Sequence, residues 1–184
     1  MTNEKTKSRR SLILLLSVFI IPVVLAKLAL TNQWFNEGVT NQGTLVEGEL
    51  TLANIGIAVP ENKQWLVIYS VPENCDDKCI QALKGIENTY LALGRETPRV
   101  TPVALTRSPF NAEQLQSLDN NHWQFKTTNA EALKQLPPGQ IYVSDPLGNI
   151  MLNYQQPQNA EEIPAFGRGM LSDMKKLLKY SRIG

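Results

Sequence analysis

The chain has 184 residues, a length typical of one domain plus an appendage, and its formal net charge is only +1. No stripe of Lys and Arg with interleaved aromatic residues occurs, which argues against nucleic-acid binding. One histidine and two cysteines are too few for the usual all-protein zinc site with four ligands.

The N-terminus combines a basic tail with a long apolar run. Lys5, Lys7, Arg9 and Arg10 precede the run, which extends over residues 12–30. A helix of this length crosses roughly the ~30 Å hydrocarbon core of a bilayer. Because cations before a span keep the N-terminus in the cytoplasm, we predict a cytoplasmic basic tail at residues 1–10 and a transmembrane signal anchor at residues 11–30.

A cleaved signal peptide is the alternative, since Val24-Leu25-Ala26 loosely fits a small-residue cleavage site. The length of the run and Lys27, directly after that site, favour the uncleaved anchor. In both cases the rest of the chain lies outside the cytoplasm, where a disulfide can persist. We therefore expect a single-pass protein of the bacterial inner membrane with its C-terminal domain in the periplasm.

Residues 31–60 contain the turn signals Asn41-Gln42-Gly43 and Glu47-Gly48 and are predicted to be an extended lead-in. Within it, residues 44–46 and 50–52 would form a short hairpin or lie along the sheet. The globular domain is predicted at residues 61–184.

Residues 65–94 contain the central strand and the first helix predicted for this domain. Residues 65–71 form a continuous apolar run, typical of a strand covered on both faces. Asn74, Asp76 and Asp77 then offer capping oxygens for a helix. The helix would present one apolar face and end at Gly94, the face being made of Cys79, Leu83, Ile86, Tyr90 and Leu93.

The remaining elements alternate between strands and helices. We predict a strand at residues 99–106, placed at the sheet edge because Pro102 lacks a donor, a short helix at 111–118, and helical turns at 129–136. Pro137 and Pro138 are interpreted as the stop of those turns rather than as the cis-proline site of thioredoxins. A hairpin at residues 140–154 turns at 145–149, and a C-terminal helix has the apolar stripe Met170, Leu171, Met174, Leu177 and Leu178.

This order predicts an α/β fold of the thioredoxin-like class, βαβαββα with a mixed central sheet, after one N-terminal transmembrane helix. Function must be argued from the site, because this fold serves many functions.

Cys75 and Cys79 lie where the buried strand turns into the helix, and they are the candidate catalytic residues. If both were helical, their Cα atoms would be about 6 Å apart, within the range that a disulfide accepts. The helix N-terminus favours a thiolate at Cys75, whereas Asp76 and Asp77 oppose it.

Three roles remain open for the pair. It can exchange disulfides, with Cys75 attacking and Cys79 resolving; it can bind Cu(I) through two thiolates; or it can form a structural disulfide. His122, in a polar loop, is the weakest candidate metal ligand.

Two stretches resemble the Sco/SenC group of membrane-anchored, thioredoxin-like proteins. They are Val67-Ile68-Tyr69 with the following C-x-x-x-C, and Tyr142-Val143-Ser144-Asp145-Pro146-Leu147-Gly148. Further stretches resemble small membrane proteins encoded among bacterial cytochrome oxidase assembly genes, namely residues 40–45, 90–96, 145–151 and 177–184.

The resemblance implies a role in building the copper centre of cytochrome c oxidase, with Cys75 and Cys79 as copper or redox residues. It also implies an oxidase subunit or a copper-delivery protein as partner. The histidine of the Sco group should fall near Pro137, where this chain has none. We therefore expect thiol–disulfide exchange, with a Cu(I) chaperone or a non-catalytic interaction module as the alternatives.

Overall fold

The computed structural model describes residues 2–32, 41–107, 109–110, 122–128 and 130–183. Its contacts divide the chain into two units, Met1–Thr40 and Asn41–Gly184. The first unit contains helix α1 (Thr2–Thr31). Its segment Arg9–Ala29 has 21 residues and contains an 18-residue stretch with a mean hydropathy of 2.7. At ~1.5 Å per residue this segment measures about 30 Å, so by length and composition it is consistent with a single membrane span.

The second unit is built on a mixed sheet, which has six strands among the described residues. The strands are β1 (Thr44–Leu45), β2 (Trp65–Ser70), β3 (Val100–Thr106), β4 (Gln124–Thr127), β5 (Gln140–Ser144) and β6 (Ile150–Gln155). Strands β2, β3 and β4 are parallel, whereas β5, β6 and β1 are joined by antiparallel pairing. The strand order is β1-β6-β5-β2-β3-β4, which places β2 inside the sheet and confirms the predicted thioredoxin-like arrangement.

Helices cover both faces of the sheet. Helices α2 (Asp77–Ala92) and α4 (Ile163–Tyr180) pack on one face. The other face is covered by α3 (Ala130–Gln135) and by residues 52–57, which bury Leu52 and Ile55. A 3-10 helix, Gly94–Arg99, connects α2 to β3. The segment before β2 thus contributes to the hydrophobic core.

The predicted edge position of Pro102 is wrong, because β3 lies between β2 and β4. The Leu105 carbonyl accepts a hydrogen bond from the chain that continues β2, and the Thr106 carbonyl accepts one from the chain that continues β4. The backbone groups of successive residues in a strand point alternately to its two neighbours. The nitrogen of Pro102, which carries no hydrogen, therefore faces β4. Pairing with β4 starts one residue later, at Val103 opposite Gln124, so no ladder bond is lost.

The remaining elements can also be compared with the sequence prediction. Strand β4 was not predicted, and the helix predicted at 111–118 lies outside the described residues. Residues 44–45 lie along the sheet against β6, which decides between the two alternatives for this segment. Helix α3 ends at Gln135, just before Pro137, and every peptide bond of the described residues is trans.

Candidate functional site

The site begins where the chain leaves β2. The backbone N–H of Val71 donates to the Leu105 carbonyl at 2.9 Å, and the N–H of Gly139 donates to the Ser70 carbonyl at 2.8 Å. The neighbouring strands therefore fix the exit from β2. Three residues, 72–74, then lead to Cys75, so the cysteines lie at the carboxyl end of the central strands.

Cys75 and Cys79 form a disulfide with a Cα–Cα distance of 5.1 Å. The distance expected from the sequence assumed that both cysteines are helical, whereas Cys75 precedes α2, which starts only at Asp77. Cys75 is half-buried, whereas Cys79 is 0% exposed and belongs to the apolar cluster beneath α2. The two sulfurs therefore differ in their access to a partner.

Asp76 is the N-cap of α2. Its side chain accepts a hydrogen bond from the backbone N–H of Cys79 at 3.1 Å, which satisfies one of the free donors at the helix start. Asp77 lies in the first turn. Two carboxylates therefore lie next to the cysteines, as the sequence predicts.

Tyr69, near the end of β2, is buried close to the disulfide. Its ring is fully buried in the same apolar cluster as Cys79, and its hydroxyl donates to Gln156 Oε1 at 2.5 Å. Burial raises the pKa of Tyr69, and the negative charge of Asp76 adds to the effect. The phenol therefore stays neutral and acts as a hydrogen-bond donor.

A small cavity of about 160 Å³ adjoins the loop between β2 and Cys75. An ion pair between Glu73 and Arg107 forms part of its wall. Its remaining lining comes from Val71, Leu133 and Pro138. Sequence analysis missed Glu73, Arg107 and Gln156, because single polar residues in loops carry no periodic signal.

His122 is not brought to the cysteines. Its ring lies 5.3 Å from the ring of Tyr90, centroid to centroid. Tyr90 is eleven residues beyond Cys79 on α2, which corresponds to about 16 Å along the helix axis. In the part of the chain that the structure describes, no three His, Cys, Asp or Glu side chains form a group suited to a metal ion.

The loop in which the Sco resemblance places a third copper ligand borders the same region. Pro138 lines the cavity beside the cysteine loop, and Pro137 precedes it in the sequence. Neither side chain can bind a metal. The described soft donors near the helix start are thus the two sulfurs, with the hard carboxylate oxygens of Asp76 and Asp77 beside them.

Residues 65–181 match the family described as the transmembrane-like, thioredoxin-like, C-terminal domain. The chain belongs to this family. The match covers both cysteines and all elements from β2 to α4, and it confirms the recognised resemblance at the level of family and fold. A search of curated proteins finds no match.

Several solved structures are similar to this chain. BsSco, described as a member of the Sco family of cytochrome c oxidase assembly proteins, is 18% identical, with 65% of this chain and 83% of that one covered and a TM-score of 0.46. Apo Sco1 from Thermus thermophilus is 15% identical, with 77% and 99% covered and a TM-score of 0.47. ScoI from Bradyrhizobium japonicum, with copper bound, is 20% identical, with 57% and 83% covered and a TM-score of 0.41.

Proposed function

We propose that this protein is a membrane-anchored thiol–disulfide exchange protein that acts on a partner outside the cytoplasm. The observation that supports it is the asymmetry of the pair: half-buried Cys75 is bonded to fully buried Cys79 at the carboxyl end of the central strands. The half-buried sulfur of Cys75 can meet a partner, while the fully buried sulfur of Cys79 can only resolve the mixed disulfide.

The exchange starts from the reduced pair. The thiolate of Cys75 attacks one sulfur of a partner disulfide, a mixed disulfide forms, and the partner's other sulfur leaves as a thiolate. The thiolate of Cys79 then attacks Cys75 Sγ, the mixed disulfide breaks, and the second partner thiol is released. The partner gains two electrons, its thiolates take protons from water, and a dithiol reductant restores the Cys75–Cys79 pair.

We further propose that the partner belongs to cytochrome c oxidase biogenesis, as an oxidase subunit or a copper-delivery protein whose copper-binding cysteines must be reduced. Support for this context comes from the sequence stretches that resemble Sco and oxidase-assembly proteins. The proposed location is the bacterial inner membrane, with α1 as an uncleaved anchor and the domain in the periplasm. It is supported by the basic tail before the span and by the proximity of the two cysteines, because a disulfide between them can persist outside the cytoplasm.

Carriage of Cu(I) as cargo is less well supported. The reduced cysteines would offer two soft donors, which suit Cu(I). The described residues supply no third ligand, since His122 packs against Tyr90 and the third Sco position is near Pro137. The donor set therefore does not fit a three-ligand copper site, and the redox role needs no further ligand.

The decisive experiment traps the mixed disulfide. The full-length variants Cys79→Ser and Cys75→Ser are incubated with glutathione disulfide, and the adduct is followed by mass spectrometry. We expect Cys79→Ser to form the adduct about tenfold faster or more, because its remaining thiol is the accessible one. Circular dichroism of both variants is the folding control.

Two results would contradict the proposal. Equal adduct rates would mean that the asymmetry of burial does not control reactivity. A reduction potential of the wild-type pair below about −300 mV would place it with structural disulfides, unless the pair turns over a partner disulfide.

A further inference from the structure

The outward face of α4 carries a stripe of cations. Arg168, Lys175 and Lys179 follow one another at spacings of seven and four residues. At about 100° per residue these positions fall within an arc of about 40°. Ser172 lies about 20° beyond this arc, and the buried residues Met170 and Met174 lie on the opposite side of the helix. The stripe therefore faces away from the core.

None of the three cations in this stripe forms an ion pair with a described residue. All three are exposed, and Lys179 instead lies over the Tyr180 ring, 5.6 Å from its centroid. The single carboxylate in α4 belongs to Asp173, which is 0% exposed. An exposed helix face usually mixes both signs of charge, and a stripe of one sign attracts an anionic partner.

Apolar groups adjoin the stripe near the end of α4. A cleft of about 380 Å³ is lined by Lys175 and Lys179 together with Leu93, Arg95, Glu96 and Leu178. Beyond it, the Tyr180 side chain is 79% exposed and that of Ile183 is 42% exposed. Lysines and arginines beside an exposed tyrosine and an aliphatic residue are typical of surfaces that meet lipid head groups.

The chain enters the domain next to this stripe. Asp173 accepts hydrogen bonds from the backbone N–H groups of Gln42 and Gly43 at 2.7 and 2.9 Å. Gln42 also lines a shallow cavity together with Arg168 and Ser172. Residues 32–40 connect this entry point to the proposed anchor, and nine residues of chain span at most about 30 Å. A bilayer that held the proposed anchor would therefore lie within about 30 Å of chain from Gln42.

We propose that the stripe of Arg168, Lys175 and Lys179 docks onto anionic phospholipid head groups of the membrane that holds α1. The proposal rests on the membrane anchoring proposed above. Charge complementarity selects the anionic lipid, and the short tether keeps the bilayer in place as partner. Docking would hold the domain on the membrane surface through α4, leaving the cysteines at the N-terminal end of α2.

The test measures lysine accessibility in the full chain. The protein is reconstituted in nanodiscs of phosphatidylcholine, with or without phosphatidylglycerol, and treated with a membrane-impermeant amine acetylating reagent. Mass spectrometry then gives the acetylation rate of each lysine. Phosphatidylglycerol should slow acetylation of Lys175 and Lys179 about threefold or more, and high salt should reverse the effect. Lys134, on α3 at the other face of the sheet, should not change.

A matched pair of variants tests whether the stripe acts as a unit. Lys179→Gln should reduce the protection of Lys175, whereas Lys134→Gln, which removes the same charge elsewhere, should not. Equal rates in both kinds of disc would overturn the docking, and so would protection by inorganic phosphate in phosphatidylcholine discs. A chain that had lost its N-terminal segment and left the discs would instead contradict the proposed uncleaved anchor, and with it this inference.

Discussion

The carboxylate of Asp76 accepts a hydrogen bond from the backbone N–H of Cys79 at 3.1 Å, so the residue that follows Cys75 caps the helix that holds Cys79. Asp76 therefore has two opposing effects on the pair. It fixes Cys79 in the first turn, where the free N–H groups favour a thiolate. It also places a negative charge beside both sulfurs, which disfavours a thiolate.

Replacing Asp76 by Asn separates these effects. The amide oxygen can still cap the helix, but the charge is gone, so the reduced pair is stabilised and its reduction potential should rise. Asp76→Ala also removes the cap and should lower the free energy of unfolding by about 1 kcal/mol. Thiol trapping in glutathione buffers measures the potential, and urea unfolding measures stability. An unchanged or lower potential in Asp76→Asn would show that the charge does not act on the sulfurs.

The disulfide itself should contribute little to stability. The two cysteines are only four residues apart, and closing so small a loop is worth about 2 kcal/mol in the chain-entropy account. We therefore expect reduced wild type and Cys75→Ala/Cys79→Ala to remain folded, each less stable than the oxidised protein by about that amount. Urea unfolding with buried Trp65 and Trp123 as fluorescent probes checks this. Unfolding of the reduced protein under native conditions would instead support a structural disulfide.

The parts of the site that sequence analysis predicted correctly are those with a local pattern. Residues 65–70 are all buried, as expected for a continuous apolar run. The spacing of Cys79, Leu83 and Ile86 predicts one helix face, and all three are at most 1% exposed. The turn at residues 145–149 fixes the hairpin of β5 and β6. Each of these signals depends only on near neighbours in the sequence.

Contacts between distant residues left no such signal. Glu73 pairs with Arg107 across 34 positions, and Gln42 donates to Asp173 across 131. Strand β4 was missed because it is only four residues long, its residues are mostly exposed, and Phe125 is the one apolar residue among them. Pro102 misled the prediction because the position of a proline within a strand depends on where the neighbouring strand begins.

Buried Asp173 should be a major source of stability. Its Oδ2 atom accepts hydrogen bonds from the N–H groups of Gln42 and Gly43 and from the Tyr154 hydroxyl, the last at 2.9 Å. Asp173→Ala leaves three donors without this acceptor and should cost about 3 kcal/mol or more. Tyr154→Phe removes one donor and should cost about 1 kcal/mol. Urea unfolding compares the two, and equal losses would mean that water replaces the carboxylate.

Gly43 should tolerate no side chain. A Cβ atom there would lie 2.5 Å from Cζ of Tyr154, so the ring would have to leave its place beside Asp173. We expect Gly43→Ala to lower the free energy of unfolding by about 2 kcal/mol. Gly85→Ala is the control, because its Cβ would meet Phe166 at an ordinary 3.5 Å and alanine favours a helix by up to about 1 kcal/mol. If both variants are equally stable, the clash at Gly43 is relieved elsewhere.

Three buried tyrosines should make the protein sensitive to alkali. Burial raises the pKa of Tyr142 to about 12 and also raises the pKa of Tyr69 and Tyr154. The charges of Asp76 and Asp173 add to the rise for Tyr69 and Tyr154, respectively. In the unfolded chain tyrosine titrates near pH 10. The contribution of these groups is therefore complete below about pH 10 and is lost as the pH rises toward the folded-state pKa values.

Above about pH 10 the unfolded chain releases protons that the folded chain keeps, so the free energy of unfolding should fall by at most about 1.4 kcal/mol per pH unit for each such tyrosine. Urea unfolding at a series of alkaline pH values gives this slope. Tyr142→Phe should make the slope shallower, because one titrating group is removed from the unfolded chain. A slope unaffected by Tyr142→Phe would assign the alkaline loss to other groups.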